Sequence, residues 1–236
     1  MATVATQNKR GFTYNLPDIG QQFIDEAVLD QGPVLDVGAA YGVATLPALE
    51  KGLQVVALDI NKEHLRYLKA NTPQPHAHRL ETVESNFPYI DFPHNYFQSI
   101  YISQVFPFLK PFEIVSAAKK LHAWLKPGGK LYVVSFTPYL RHCESYLEIY
   151  HLKKEKDEPW AGYIECLPEF SKNNPVAAEL PESINHVDED DLRRVFSPFF
   201  SIEQLYLFGD ARNELPEWIK YDDRERVGMV AKKLDL

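Results

Sequence analysis

VLDVGAAYG, residues 34–42, is a short apolar run that ends in glycine and passes into a turn with a second glycine two residues beyond Ala40. An apolar run of this length, closed by glycine, reads as a strand buried on both faces. Residues 41–50 follow as a helix, and Gly52 stands where a helix stop is expected. A glycine-rich turn between a strand and a helix lets a ligand approach the backbone closely and aims the helix N-terminus at an anionic group. The stretch therefore sets both the first strand–helix unit and the place of a ligand.

The same pattern repeats outward. Before it, residues 15–29 carry Ile19, Phe23, Ala27 and Val28 at helical spacing. After it, LQVVALD (53–59) reads as a second buried strand, and Asn61 can cap a helix to about Ala70 with Leu65 and Leu68 on one face. HRLETV (78–83) and QSIYIS (98–103) supply a third and a fourth strand. A helix over 111–125 carries Ile114, Ala118, Leu121 and Leu125 on one face, and KLYVVSF (130–136) is a fifth strand. Strands alternating with helices predict βαβ units, a parallel sheet and right-handed crossovers. VDEDDLRRVF (187–196) reads as a helix with acids in its first turn, as the macrodipole favours. SIEQLYLF (201–208) and ERVGMVAKK (225–233), with no obvious helix between them, predict a closing antiparallel pair.

The totals agree with one packed α/β domain over 1–236. Of the 236 residues 45% are hydrophobic and 13% aromatic, which argues for a globular core. A net charge of −8 makes nucleic acid a poor partner. Two cysteines, Cys143 and Cys166, make no disulfide framework, so a reduced, cytoplasmic protein is expected. The N-terminus shows no secretory signal, and no apolar run is long enough for a membrane helix. No His/Cys cluster has metal spacing, and neither a P-loop nor a G-x-S-x-G elbow occurs, so no metal site is expected.

A second ligand signal lies 21 residues after Gly38, where Asp59 ends the second strand. A carboxylate there can accept from both hydroxyls of a ribose. Together the turn and the acid suggest an adenosine-containing ligand. The dinucleotide fingerprint G-x-G-x-x-G fails, because its positions fall on Gly38, Ala40 and Val43. Asp36, Gly38, Ala40 and Gly42 instead resemble the (D/E)-x-G-x-G-x-G motif of the class I S-adenosylmethionine-dependent methyltransferases. ESNFPYIDFPHNYFQSIYISQVFPFL (84–109) and LKPGGKLYVVSF (125–136) are similar to the same family, and the likeness covers roughly 12–136.

The resemblance implies a Rossmann-like three-layer sandwich with a mostly parallel seven-stranded sheet and a C-terminal antiparallel hairpin, and the residues of 137–187 add an α-helical insertion after the fifth strand. It implies S-adenosyl-L-methionine as cofactor, with Asp36 and Gly38 at its amino-acid end and the turn through Ala40 and Gly42 beside them. Asp59 would hold the ribose, Ile60 and Phe87 the adenine ring, and Asn86 the adenine amino group. Ser103 and Gln104 would line the site after the fourth strand. Three departures stand out: Ala40 for the middle glycine, Asn86 for a common acid, and Gln98 for a common aspartate.

Residues 137–187 are left outside the resemblance. Between Thr137 and Asp190 there are five Lys/Arg and twelve Asp/Glu, with Tyr139, Tyr146, Tyr150, Trp160, Tyr163 and Phe170 interleaved. Leu140, Cys143, Leu147 and Tyr150 are helically spaced, and His142 and His151 fall on the solvated side. An insertion here would act as a substrate lid, and aromatics with carboxylates would suit a neutral, planar or cationic small molecule. His186 and Tyr139 are the candidates for a general base. The expected activity is methyl transfer to a small-molecule acceptor by in-line displacement. The alternatives are a protein or nucleic-acid methyltransferase, against which stand SQVFPF (103–108) in place of an N-P-P-Y type motif and the acidity, and a non-catalytic S-adenosylmethionine-binding partner protein.

Overall fold

A computed structural model describes residues 4–5, 12–13, 15–170, 181–210 and 215–235. Seven strands form one sheet: β1 (Val34–Val37), β2 (Val55–Asp59), β3 (Leu80–Glu84), β4 (Phe97–Ser103), β5 (Leu125–Phe136), β6 (Phe200–Phe208) and β7 (Arg226–Lys233). Their order across the sheet is β6-β7-β5-β4-β1-β2-β3. The five strands from β3 to β5 run parallel, and β7 enters antiparallel between β5 and β6. This is the predicted mostly parallel, seven-stranded sheet with a closing antiparallel pair. A separate two-residue ladder joins Val4–Ala5 to Phe12–Thr13.

The short buried strands explain the two layers of helices. Along β1, Leu35 and Val37 face one side and Val34 the other, as the period of two requires. The first side packs on α4 (Pro111–Trp124) and α6 (Glu189–Phe196) through Ile114, Leu121 and Phe196. The second packs on α1 (Asp18–Glu26) and α2 (Thr45–Lys51) through Phe23 and Leu49. Helix α3 (Lys62–Asn71) lays Leu65 and Leu68 against Ala57, and Asn61 caps it by accepting from the Glu63 N–H at 2.8 Å. Gln98 is a clasp: its side chain bonds both Val28 backbone groups (2.8 Å each) and the Gly32 carbonyl (2.6 Å), so it ties the loop before β1 to β4.

The strand order reverses between β1 and β4, which diverge to β2 and β5 on opposite sides. In open α/β sheets the crevice at such a point, at the C-terminal strand ends, is where ligands bind. The insertion rises over this edge. It holds a 3-10 turn (Arg141–Tyr146), α5 (Leu147–Glu155), a one-turn helix (Leu167–Phe170) and a two-residue ladder of Tyr163–Ile164 with Ile184–Asn185. Residues 171–180 of the expected lid lie outside the described residues.

Leu140, Cys143, Leu147 and Tyr150 are all buried, as their spacing predicts, and form their own core with Ile164 and Leu167. Leu215 and Ile219, from the connection between β6 and β7, complete that core. The acidic run fastens the insertion to α6. Asp188 caps that helix by accepting from the Asp191 N–H (2.9 Å), and also accepts from Lys154 Nζ (2.7 Å) and Tyr150 OH (2.9 Å). Among the described residues no helix is long and apolar enough to cross a membrane.

Candidate functional site

A cleft of about 260 Å³ opens at the ends of β1, β2, β4 and β5 and runs under the insertion. Its inner half is made by the glycine turn. Gly38 has φ +76°, and Ala40 takes φ +43°, a left-handed conformation that costs a non-glycine residue about 1–2 kcal/mol. The Ala40 N–H donates to Asp59 Oδ2 at 2.9 Å, so the strained turn is held by the acid that ends the neighbouring strand. The other oxygen of Asp59 accepts from the Asn61 N–H (2.8 Å) and lies 3.2 Å from His64 Nδ1. Asp59 therefore shapes the turn from its place on the cleft wall.

Asp36 is 3% exposed and accepts from the Thr45 hydroxyl at 2.6 Å. Burial raises its pKa to about 6, against the Thr45 bond and with the help of the Asp59 charge. Gly38, Ala40, Ile60, Asn86, Phe87, Ser103 and Gln104 also line the cleft. Gln104 has φ +57° and braces the opening: its N–H donates to Val134 O (2.8 Å), and its Oε1 accepts from the Phe136 N–H (2.9 Å). Gly42 does not line the cleft. It has φ +85°, and a Cβ there would meet Leu68 Cδ1 at 2.4 Å, so its position serves the packing of the turn on α3.

The outer half is built from three distant stretches. Phe136, Leu140 and His142 come from the end of β5 and the turn after it, Ile184 and His186 from the far end of the insertion, and Trp218 and Ile219 from the β6–β7 connection. His186 is 1% exposed, its backbone N–H donates to the Gly162 carbonyl (3.1 Å), and neither of its ring nitrogens has a partner among the described residues. Burial lowers its pKa to about 3. His142 is not solvated as its spacing suggested. The Trp218 ring packs across it at 5.3 Å, its Nδ1 is buried without a partner, and burial lowers its pKa to about 4.

Tyr139 is not on the cleft. Its ring lies under the Arg224 guanidinium (3.8 Å to the centroid) and packs edge-on against Tyr150. Among the described residues Asp36 and Asp59 are the acids of the cleft, and none comes from the insertion. Sequence reasoning missed His64, His142, Trp218 and Arg226. A cluster of Leu215, Trp218 and Ile219 in an otherwise polar connection was the available signal for one of these walls. Among the described residues no cluster could hold a metal ion.

Residues 34–129 match the family model described as a methyltransferase domain. No curated protein matches the sequence. Among solved structures, an S-adenosylmethionine-dependent methyltransferase of Methanosarcina mazei is 20% identical, with a TM-score of 0.67 over 93% of this chain and 99% of that one. The glycopeptide N-methyltransferase MtfA, solved with S-adenosylhomocysteine, is 16% identical, with a TM-score of 0.61 over 93% of this chain and 90% of that one. A methyltransferase in complex with the Haloferax volcanii Trm112 activator is 14% identical, with a TM-score of 0.59 over 91% and 87%. Residues 34–129 are thus similar to a methyltransferase domain, and the fold of the chain is that of the solved methyltransferases it matches.

Proposed function

We propose that this protein is a methyltransferase that binds S-adenosylmethionine across the ends of β1, β2 and β4 and methylates a small, neutral, planar acceptor held beneath 137–187, which acts as a substrate lid. The observation that supports this reading is the continuity of the cleft, from the glycine turn and Asp59 to His186 and Trp218. The inner half suits the donor. Asp36 is a buried carboxylate whose ionised form gains from the cationic methionine end. Asp59 has oxygen lone pairs left for the ribose hydroxyls, and Asn86 offers a carbonyl to the adenine amino group. Ile60 and Phe87 supply apolar surface for the ring, with Gly38 beneath and Ser103 and Gln104 on the acceptor side.

The bound sulfonium supplies a reactive methyl group. The protein's task is to align the acceptor with it and exclude water, which is worth about 7–11 kcal/mol when orientation is complete. As an acceptor lone pair bonds the methyl carbon, the carbon–sulfur bond breaks and the acceptor's proton passes to His186. Among the described residues no insertion carboxylate lines the cleft, which removes the support for a cationic acceptor. The two free cysteines accord with a cytoplasmic protein.

Calorimetry with S-adenosylhomocysteine and with NAD tests the donor assignment. The expected result is micromolar-order binding of the first and none of the second; the opposite result overturns it. The pH dependence tests Asp36. Its pKa of about 6 in the folded protein lies above the ordinary 3.8, so its contribution to stability is full below about pH 4 and lost as pH rises through 6. A cationic donor binds the ionised form, so affinity for S-adenosylmethionine should fall as pH drops below about 6, and Asp36→Asn should flatten that dependence. An unchanged slope in Asp36→Asn would remove Asp36 from the donor site.

A further inference from the structure

We infer that the acceptor is a small aromatic molecule carrying two hydroxyl groups, one methylated beside His186 and the other bound by His142. The inference rests on the donor-and-lid reading of the cleft and follows from the hydrogen-bonding state of the two imidazoles. Nδ1 of His142, which lines this half of the cleft, is buried without a hydrogen-bond partner among the described residues. In the tautomer protonated at Nε2, Nδ1 is an acceptor with an open lone pair. A buried acceptor of this kind calls for an O–H or N–H from the ligand, because leaving it dry and unpaired is costly. His186 offers one donor and one acceptor, since both its nitrogens are open.

The surroundings narrow the class further. Phe136, Leu140, Ile184 and Trp218 give this half flat and apolar walls, and no carboxylate lines it among the described residues. That surface matches an aromatic ring better than a sugar or an ammonium group. Hydroxyl is favoured over amine by the proton's destination. Methylating a hydroxyl oxygen produces an acidic oxonium, whose proton even a weakly basic imidazole removes. Methylating an amine produces an ammonium that keeps its proton at neutral pH. His186 lines the cleft with both ring nitrogens open, so it gives that proton a destination, which suits the first case. In the balanced step the oxygen–methyl bond forms, the carbon–sulfur bond breaks leaving a neutral thioether, and the hydroxyl proton moves to His186.

The test uses the full chain saturated with S-adenosylhomocysteine, with phenol, catechol and resorcinol as probes measured by calorimetry. Catechol or resorcinol should bind at least about tenfold tighter than phenol, the value of one further hydrogen bond to a buried acceptor. His142→Phe, which keeps a ring but loses the acceptor nitrogen, should erase that preference without changing S-adenosylhomocysteine affinity. His142→Gln, whose amide oxygen can accept, should restore part of it. The inference is overturned if the wild type binds none of the probes or shows no preference for two hydroxyls, or if the preference survives in His142→Phe. Should His142→Phe not fold, the wild-type comparison and His142→Gln decide. Failure of the donor reading shows separately, as absence of S-adenosylhomocysteine binding to the wild type.

Discussion

Replacing His186 with alanine should lower methyl transfer by about 10²-fold, the low end of the range for removing a positioned acid–base group, because burial leaves its imidazole weakly basic. S-adenosylhomocysteine affinity should be unchanged, because His186 sits in the outer half of the cleft, away from Asp36 and Asp59. The measurement is conversion of S-adenosylmethionine to S-adenosylhomocysteine with whichever hydroxylated aromatic turns over. Circular dichroism should accompany it, since His186 is 1% exposed and its truncation opens space between the insertion and the sheet. His186→Gln fills more of that space and offers hydrogen bonds without a basic nitrogen, so its activity should stay close to that of the alanine variant. Full turnover in the glutamine variant would show that His186 takes no proton, and that orientation alone carries the reaction.

The second large effect is expected at Asp59. Asp59→Ala should weaken donor binding by about 1.5–3 kcal/mol, the value of hydrogen bonds to a charged group. The fold should also suffer, because the Ala40 and Asn61 N–H groups both lose their acceptor. An unsatisfied buried donor costs about 1–3 kcal/mol. Asp59→Asn separates the two roles. Its amide oxygen can still accept from one backbone N–H, so thermal stability should recover more than donor affinity does. The comparison is a melting curve beside a calorimetric titration of each variant. Donor affinity equal to wild type in Asp59→Ala would reduce the residue to a cap of the turn.

Each element of the sheet from β1 to β5 was legible because its signal is local. Apolar runs with a stop at Gly38, Asp59 or Ser103 mark β1, β2 and β4 whatever lies elsewhere, and the antiparallel closing pair followed from the lack of an obvious helical pattern in the sequence between 208 and 225. The inner half of the cleft was legible for a related reason. Its residues sit at fixed offsets from strand ends, so Asp36, Gly38, Ala40, Asp59 and Asn86 could be placed by counting along the chain. The exception is Gly42: its spacing fits the same motif, but only the position of Leu68 on α3 shows that the glycine serves packing.

The outer half obeys no such count. Helical periodicity put His142 on the solvated side of a helix, and the local chain is indeed a turn whose opposite face holds Cys143. The ring that packs on His142 is Trp218, seventy-six residues later in the connection between β6 and β7. Tyr139 met the reverse fate: its place after β5 suggested the cleft, but Arg224 and Tyr150 hold its ring elsewhere. Sequence by itself determined the strands, the helices and the strand-end residues of the cleft's inner half, because periodicity and strand-end spacing are properties of neighbours along the chain. Only the tertiary structure decided which histidines line the cleft, because burial of a side chain depends on the segments that fold over it, and those come from anywhere in the sequence.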